Sequence, residues 1–187
     1  MSAQLSMSSE VSQPIKPAYV RLFCVYLAAF IALIAINATE AQPLDRQIGE
    51  LSAIDRQFMA EQRSRVEALA NRLGRRLSGN PERDLDTLQE IIDRRWIDPE
   101  DQLIQQAMGV VFGDLLAEEL GFHWVVYRDR AGRNRALRYR QDDIFIFPMT
   151  MLSRRLSARA TLDVSDLFDT QLVKQRQRIP GGKWLLD

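Results

Sequence analysis

The sequence predicts an α+β domain in which helices pack on a small three-stranded antiparallel sheet, preceded by a long N-terminal amphipathic helix and a targeting segment and closed by C-terminal helices. Three observations carry this reading. An uninterrupted apolar run, Leu22 to Ile36, stands behind Lys16 and Arg21. A helix-period apolar pattern then extends from Ile48 to Leu77 and returns in shorter form after Pro81 and Pro99. Finally, three short β-rich segments between residues 122 and 147 have no helical pattern between them, which argues for a meander and against parallel βαβ units.

Composition narrows the classes. With 187 residues, 46% hydrophobic and 27% charged, the chain has room for one core and is neither disordered nor a polytopic membrane protein. Lys+Arg and Asp+Glu number 25 each, so there is no net field to gather nucleic acid or an acidic membrane around the whole molecule. Any charged partner must be met locally.

Residues 1–41 have the layout of a secretory signal: a basic start, the apolar run, and the small pair Thr39/Ala41 before Gln42-Pro43, with cleavage after Ala41. A spanning helix needs about 20 apolar residues. The run reaches that length only by taking in Ala18 to Ala38 with Arg21 and Asn37, which makes an uncleaved membrane anchor the alternative. In both cases the cations before the run place the rest of the chain outside: periplasmic or secreted, or anchored in the inner membrane with the domain on the periplasmic side. The single cysteine, Cys24, lies inside the run, so the exported part forms no disulfide; its position near the start of the run does not fit a lipoprotein.

Residues 43–79 are predicted as one long amphipathic helix with Ile48, Leu51, Ile54, Phe58, Val66, Leu69, Leu73 and Leu77 on its stripe. Gln62 interrupts the stripe, and Gly49 and Gly74 weaken the ends. The stripe packs on its own domain or pairs between chains, which makes residues 48–77 the candidate homo-oligomer surface. An α+β domain follows over residues 80–177. Asn80-Pro81 opens one helix and Asp98-Pro99 a central one, in which Gly109 and Gly113 offer a flat strip for close approach. Gly121 stops that helix. Strands are expected at Phe122–Arg128, Arg135–Arg140 and Ile144–Phe147, the first two joined through Asp129–Asn134. Pro148 begins a helix to Leu156, Asp163 caps a last one, and residues 178–187 form a flexible tail in which Trp184-Leu185-Leu186 can dock as an apolar hook.

Several of these segments have a counterpart. Gly109-Val110-Val111-Phe112-Gly113-Asp114, Leu120-Gly121-Phe122-His123-Trp124, Ala136-Leu137-Arg138, Ile146-Phe147-Pro148-Met149-Thr150-Met151 and Asp163-Val164-Ser165-Asp166-Leu167 make the stretch from about Trp96 to Val173 resemble DUF3806, a bacterial domain family of unknown function. The resemblance implies a compact α+β unit and no particular activity.

Catalytic, cofactor and metal sites are not expected. His123 is the sole histidine, and with no cysteine outside the apolar run neither a triad nor a zinc or copper cage can be assembled. Glu118-Glu119 and Asp142-Asp143 are adjacent pairs whose side chains diverge. Gly181-Gly182-Lys183 lacks the spacing of a phosphate loop, and Ser153 and Ser157 have no evident base. The local anomaly is an arginine-rich hairpin, in which Arg128, Arg130, Arg133, Arg135, Arg138 and Arg140 face one acid, Asp129. Such guanidinium forks suit an anionic polymer, lipid headgroups or an acidic protein, although Arg outnumbers Lys 22 to 3 over the whole chain and a plain solvated face is the competing explanation.

The functional expectation is therefore an exported, non-enzymatic envelope protein acting as a binding or interaction module. Its partner is an unknown protein or envelope component, with export arguing against nucleic acid and membrane contact only through residues 22–36 if they are retained. The alternative is an enzyme of unrecognised type with a pocket near His123 and the arginine hairpin.

Overall fold

The sheet has four strands, one more than the sequence predicts. The structure, a computed structural model, describes residues 46–181; the expectations for residues 1–41 and for the Trp184-Leu185-Leu186 hook lie outside them. Strands β1 (Gln47–Glu50), β2 (Phe122–Asp129), β3 (Gly132–Tyr139) and β4 (Phe145–Ile146) lie in that order, each antiparallel to its neighbour. Five helices accompany them: α1 (Ala53–Arg72), α2 (Pro81–Asp93), α3 (Gln102–Leu120), α4 (Pro148–Ser157) and α5 (Val164–Arg178).

The extra strand corrects the long helix expected from residue 43. Gln47 to Glu50 run extended against Arg128 to Val125, with Ile48 opposite Tyr127. The helix starts only at Ala53, behind a capping box in which Ser52 Oγ accepts from the Asp55 N–H at 3.2 Å and Asp55 Oδ2 accepts from the Ser52 N–H at 3.1 Å. It stops at Arg72, because Gly74 adopts φ 72° and the chain through Leu77 is no longer helical. A four-residue strand that happens to continue the apolar spacing of the helix after it cannot be told from helix by period alone.

Local chemistry sets the remaining boundaries. Asn80 caps α2 by accepting from the Arg83 N–H at 3.0 Å, with Pro81 at the first position, and Asp163 caps α5 by accepting from the Asp166 N–H at 2.9 Å. For α3 the cap is Asp101, accepting from Leu103 and Ile104 at 3.0 and 3.1 Å, and not the expected Asp98. Asp98-Pro99 instead forms a turn whose two carbonyls accept from the buried Gln105 amide at 3.1 and 2.7 Å, while Gln105 Oε1 accepts from Ser157 Oγ at 2.7 Å. One side chain thus joins the start of α3 to the end of α4. The β2–β3 turn is tighter than predicted: Asp129 pairs with Gly132, which leaves only Arg130-Ala131 between them, and Gly132 takes φ 119°.

α3 is the centre of the core, and Met108, Val110, Phe112 and Leu116 along it are fully buried. α1 packs against α3 and buries Met59, Gln62, Val66 and Ala70; of the predicted stripe Val66 lies on this line and Leu69, Leu73 and Leu77 are partly buried beside it, whereas Ile54 is 78% exposed. Phe168 of α5 meets Phe112 edge-on at 5.8 Å, and the sheet contributes Phe122, Leu137 and Ile146 to the same cluster. The two glycines of α3 set the approach of its neighbours. A Cβ on Gly109 would lie 2.4 Å from Met149 Cα, and one on Gly113 would lie 2.5 Å from the Trp124 ring. Gly109→Ala is therefore expected to destabilise the domain by about 1–3 kcal/mol through overpacking against backbone, although alanine is the better helix former. Urea unfolding would register this as a lower midpoint at unchanged slope.

Candidate functional site

Strand register divides the sheet into two unlike faces. Phe122, Trp124, Leu137 and Ile146 share the face from which the core cluster draws its sheet residues. The opposite face carries Ile48, His123, Val125, Tyr127, Ala136, Arg138 and Phe145, none of which belongs to that cluster. This second face is thus free of the helix-packed cluster, although Val125 and Ala136 at its centre are buried, 1% and 0% exposed.

The second face has its own organisation. Ala136, on β3, is small enough for the Tyr127 ring on β2 to meet Phe145 on β4 at 5.0 Å and Phe147 just beyond it at 5.2 Å, both edge-on. Phe145 also lies within reach of two guanidiniums, Arg46 at 5.6 Å and Arg138 at 5.7 Å from its centroid. Arg46 is paired with Asp143 at 2.5 Å, which raises its pKa further above the ordinary arginine value. Arg138 donates to the Asp142 carbonyl at 2.9 Å and to the Gln141 carbonyl. His123 stands opposite Arg138 in the register and is partly exposed; among the described residues it makes no side-chain hydrogen bond with a carboxylate.

The six arginines of the hairpin are not one row. Arg133 and Arg135 point to the N-terminus of α1, where Arg133 Nη2 donates to Asp55 at 2.5 and 2.7 Å and Arg135 Nε donates to it at 3.0 Å. The Arg135 guanidinium also lies over the Phe58 ring at 3.9 Å. Asp55 is 1% exposed, and Ser52 Oγ donates to it at 2.6 Å. The Arg133 hydrogen bonds, opposed by desolvation and supported by Ser52, hold its carboxyl well below the usual carboxylate range. Arg138 lies on the helix-free face. Arg140, expected as the last residue of β3, falls beyond its end, at φ 46° with its guanidinium 5.2 Å from the Tyr139 ring. Arg128 and Arg130 are exposed at the hairpin tip and make no salt bridge among the described residues. Asp55, Arg46 and Phe145 carry no motif, and Phe147 lies in a family segment that does not announce this contact, since nothing in sequence order brings them to the hairpin.

A second carboxylate plays a similar structural part. Asp114 accepts two hydrogen bonds from Arg63, at 2.6 and 2.8 Å, and one from Trp124 Nε1 at 2.9 Å, which joins α1, α3 and β2 and raises the Arg63 pKa. An open groove lies between the α2–α3 and α4–α5 connections, with Trp96, Ile97, Leu156 and Leu162 in its lining. Arg95 and Arg159 also line it, and both adopt left-handed backbone, φ 56° and 50°. Among the described residues no group of three or more His, Cys, Asp or Glu side chains gathers as a metal site.

The family model of the domain of unknown function DUF3806 matches residues 84–168, from the first turn of α2 into α5. That segment is a DUF3806 domain. It begins twelve residues before the stretch whose motifs resemble the family and ends five before it, and β1 and α1 precede it. A crystal structure from Bacteroides thetaiotaomicron VPI-5482 is similar with a TM-score of 0.63 and 19% identity, covering 72% of this chain and 50% of that one. The likeness shows a shared fold, and the chain spans about half the length of that solved protein. A search among curated proteins found no match.

Two outcomes are expected. Replacing Asp55 by Asn leaves Arg133 and Arg135 without their counter-charge and should cost about 2–3 kcal/mol at pH 7, less than a wholly buried pair because Arg133 is partly exposed. Because the folded carboxyl titrates below its unfolded value near 4, the stabilisation is complete above that value and is lost as pH falls. Thermal unfolding should show the wild type's advantage over Asp55→Asn shrinking as pH falls from about 5 to 3. Separately, Arg95→Gly and Arg159→Gly should each stabilise the DUF3806 domain by up to about 1 kcal/mol, since glycine takes left-handed backbone without the Cβ clash.

Proposed function

We propose that the chain is an exported, non-enzymatic interaction module of the bacterial envelope, delivered by residues 1–41, whose DUF3806 domain and β1 present the helix-free sheet face to a protein or envelope component. The observation that carries this reading is the grouping of Tyr127, Phe145 and Phe147 with Arg138 and His123, all partly exposed, on a face outside the helix-packed cluster. Aromatic and arginine side chains are the types that dominate binding energy at protein surfaces. The enzyme reading lacks comparable support. A general base needs a group that orients it and sets its proton affinity, and the register neighbour of His123 is the cation Arg138.

Export is supported by the order of Lys16, Arg21, the apolar run and Thr39/Ala41. Among the described residues no helix is long and apolar enough to cross a membrane, so in this reading attachment, where it occurs, falls to residues 22–36. Intact mass of the chain recovered from fractionated cells tests delivery: a soluble periplasmic form starting near Gln42 or a membrane form keeping Leu22–Ile36 supports it, and an uncleaved cytosolic form contradicts it. A photo-crosslinking residue in place of His123 should give a discrete adduct in the envelope fraction that the same residue in place of Glu82, on the helical side, does not give; equal labelling at both would remove the sheet face as the contact surface.

A further inference from the structure

The β1–β2 register places the entry of the chain into the domain beside the hairpin tip. Gln47 lies opposite Arg128, and the Asp129–Gly132 pair closes the hairpin one residue further on. Ten residues, 37–46, separate the end of the apolar run from β1. Fully extended they span at most about 35 Å, so a membrane holding the run would lie within reach of that end of the sheet.

Charge at that end is uneven. Arg128 and Arg130 are exposed with no salt bridge among the described residues, and Arg133 with Arg135 exceeds Asp55 by one charge. The acid of the tip, Asp129, is turned into the hairpin, where it accepts from the Ala131 N–H at 2.8 Å. Guanidinium forks match phosphate oxygens in pairs, and each arginine close to an anionic bilayer shifts the ratio of docked to free domain about fivefold, hence about twenty-five-fold for two. Two such contacts are too few to recruit a freely diffusing domain. On a short tether the encounter is intramolecular, and the same contacts suffice to orient it.

We propose that the hairpin tip, through Arg128 and Arg130, rests on anionic phospholipid headgroups of the membrane that holds residues 22–36, turning the helix-free sheet face sideways to that membrane. The inference rests on export with the apolar run retained. The acids Glu40 and Asp45 in the linker oppose the pull, which makes the sign of the lipid dependence informative.

The test uses the full chain in vesicles, with Cys24→Ser and Ala131→Cys carrying a donor dye at the tip and an acceptor on lipid headgroups. Energy transfer should be higher in vesicles containing phosphatidylglycerol than in pure phosphatidylcholine. It should fall to the phosphatidylcholine level in Arg128→Glu/Arg130→Glu and in high salt, and it should show no such lipid dependence when the dye is moved to Thr161→Cys. Equal transfer in both lipids, with the chain still resisting a carbonate wash, overturns the headgroup contact and leaves the anchor standing. A chain washed off by carbonate overturns both.

Discussion

The arrangement of the N-terminal half depends on one buried carboxylate. Asp55 is at once the third residue of the capping box that starts α1 and the counter-charge of Arg133 and Arg135 on β3. The same side chain thus says where the helix begins and which strand it lies beside. Since β1 ends two residues before the Ser52–Asp55 box begins to turn the chain, a hairpin held by Asp55 also has β1 laid along its outer edge. Removing one partner from such a site is costly because the remaining cations lose their compensation where water is scarce. That is why two of the six hairpin arginines are better understood as ties within the domain than as a surface for a partner.

The second constraint is steric. α3 is apolar on nearly every side, so it must be surrounded, and its glycines decide how closely. Gly109 admits the backbone of α4 and Gly113 admits the indole of Trp124, whose N–H then reaches Asp114 and, through it, Arg63 of α1. Helices and sheet are thereby held on one side, and the aromatic group of Tyr127, Phe145 and Phe147 is what remains on the other.

Much of this order is legible in the residues. The caps at Asn80 and Asp163, the stop at Gly121, the Gly109/Gly113 strip and the alternation along Phe122–Tyr127 all follow from local chemistry, and the structure has them where the residues put them. What is not legible depends on contacts distant in sequence. β1 is four residues whose identity as strand comes from pairing with residues about eighty positions later. The cap at Asp101 competes with an equally plausible Asp98-Pro99, and Gln105 decides the matter by binding the turn carbonyls. The arginine hairpin looks uniform until Asp55, far upstream, divides it. The aromatic group likewise joins β2 to β4 and to the residue just beyond it, a contact that no motif announces.

The central claim is that Asp55 docks the hairpin and β1 while the helical core holds itself together around α3. Hydrogen exchange of Asp55→Asn, followed amide by amide, tests it most directly. The account predicts faster exchange in β1, β2, β3 and the first turn of α1, with α3, α4 and α5 protected as in the wild type. Uniform acceleration over the whole domain, or no change in the hairpin, would contradict it.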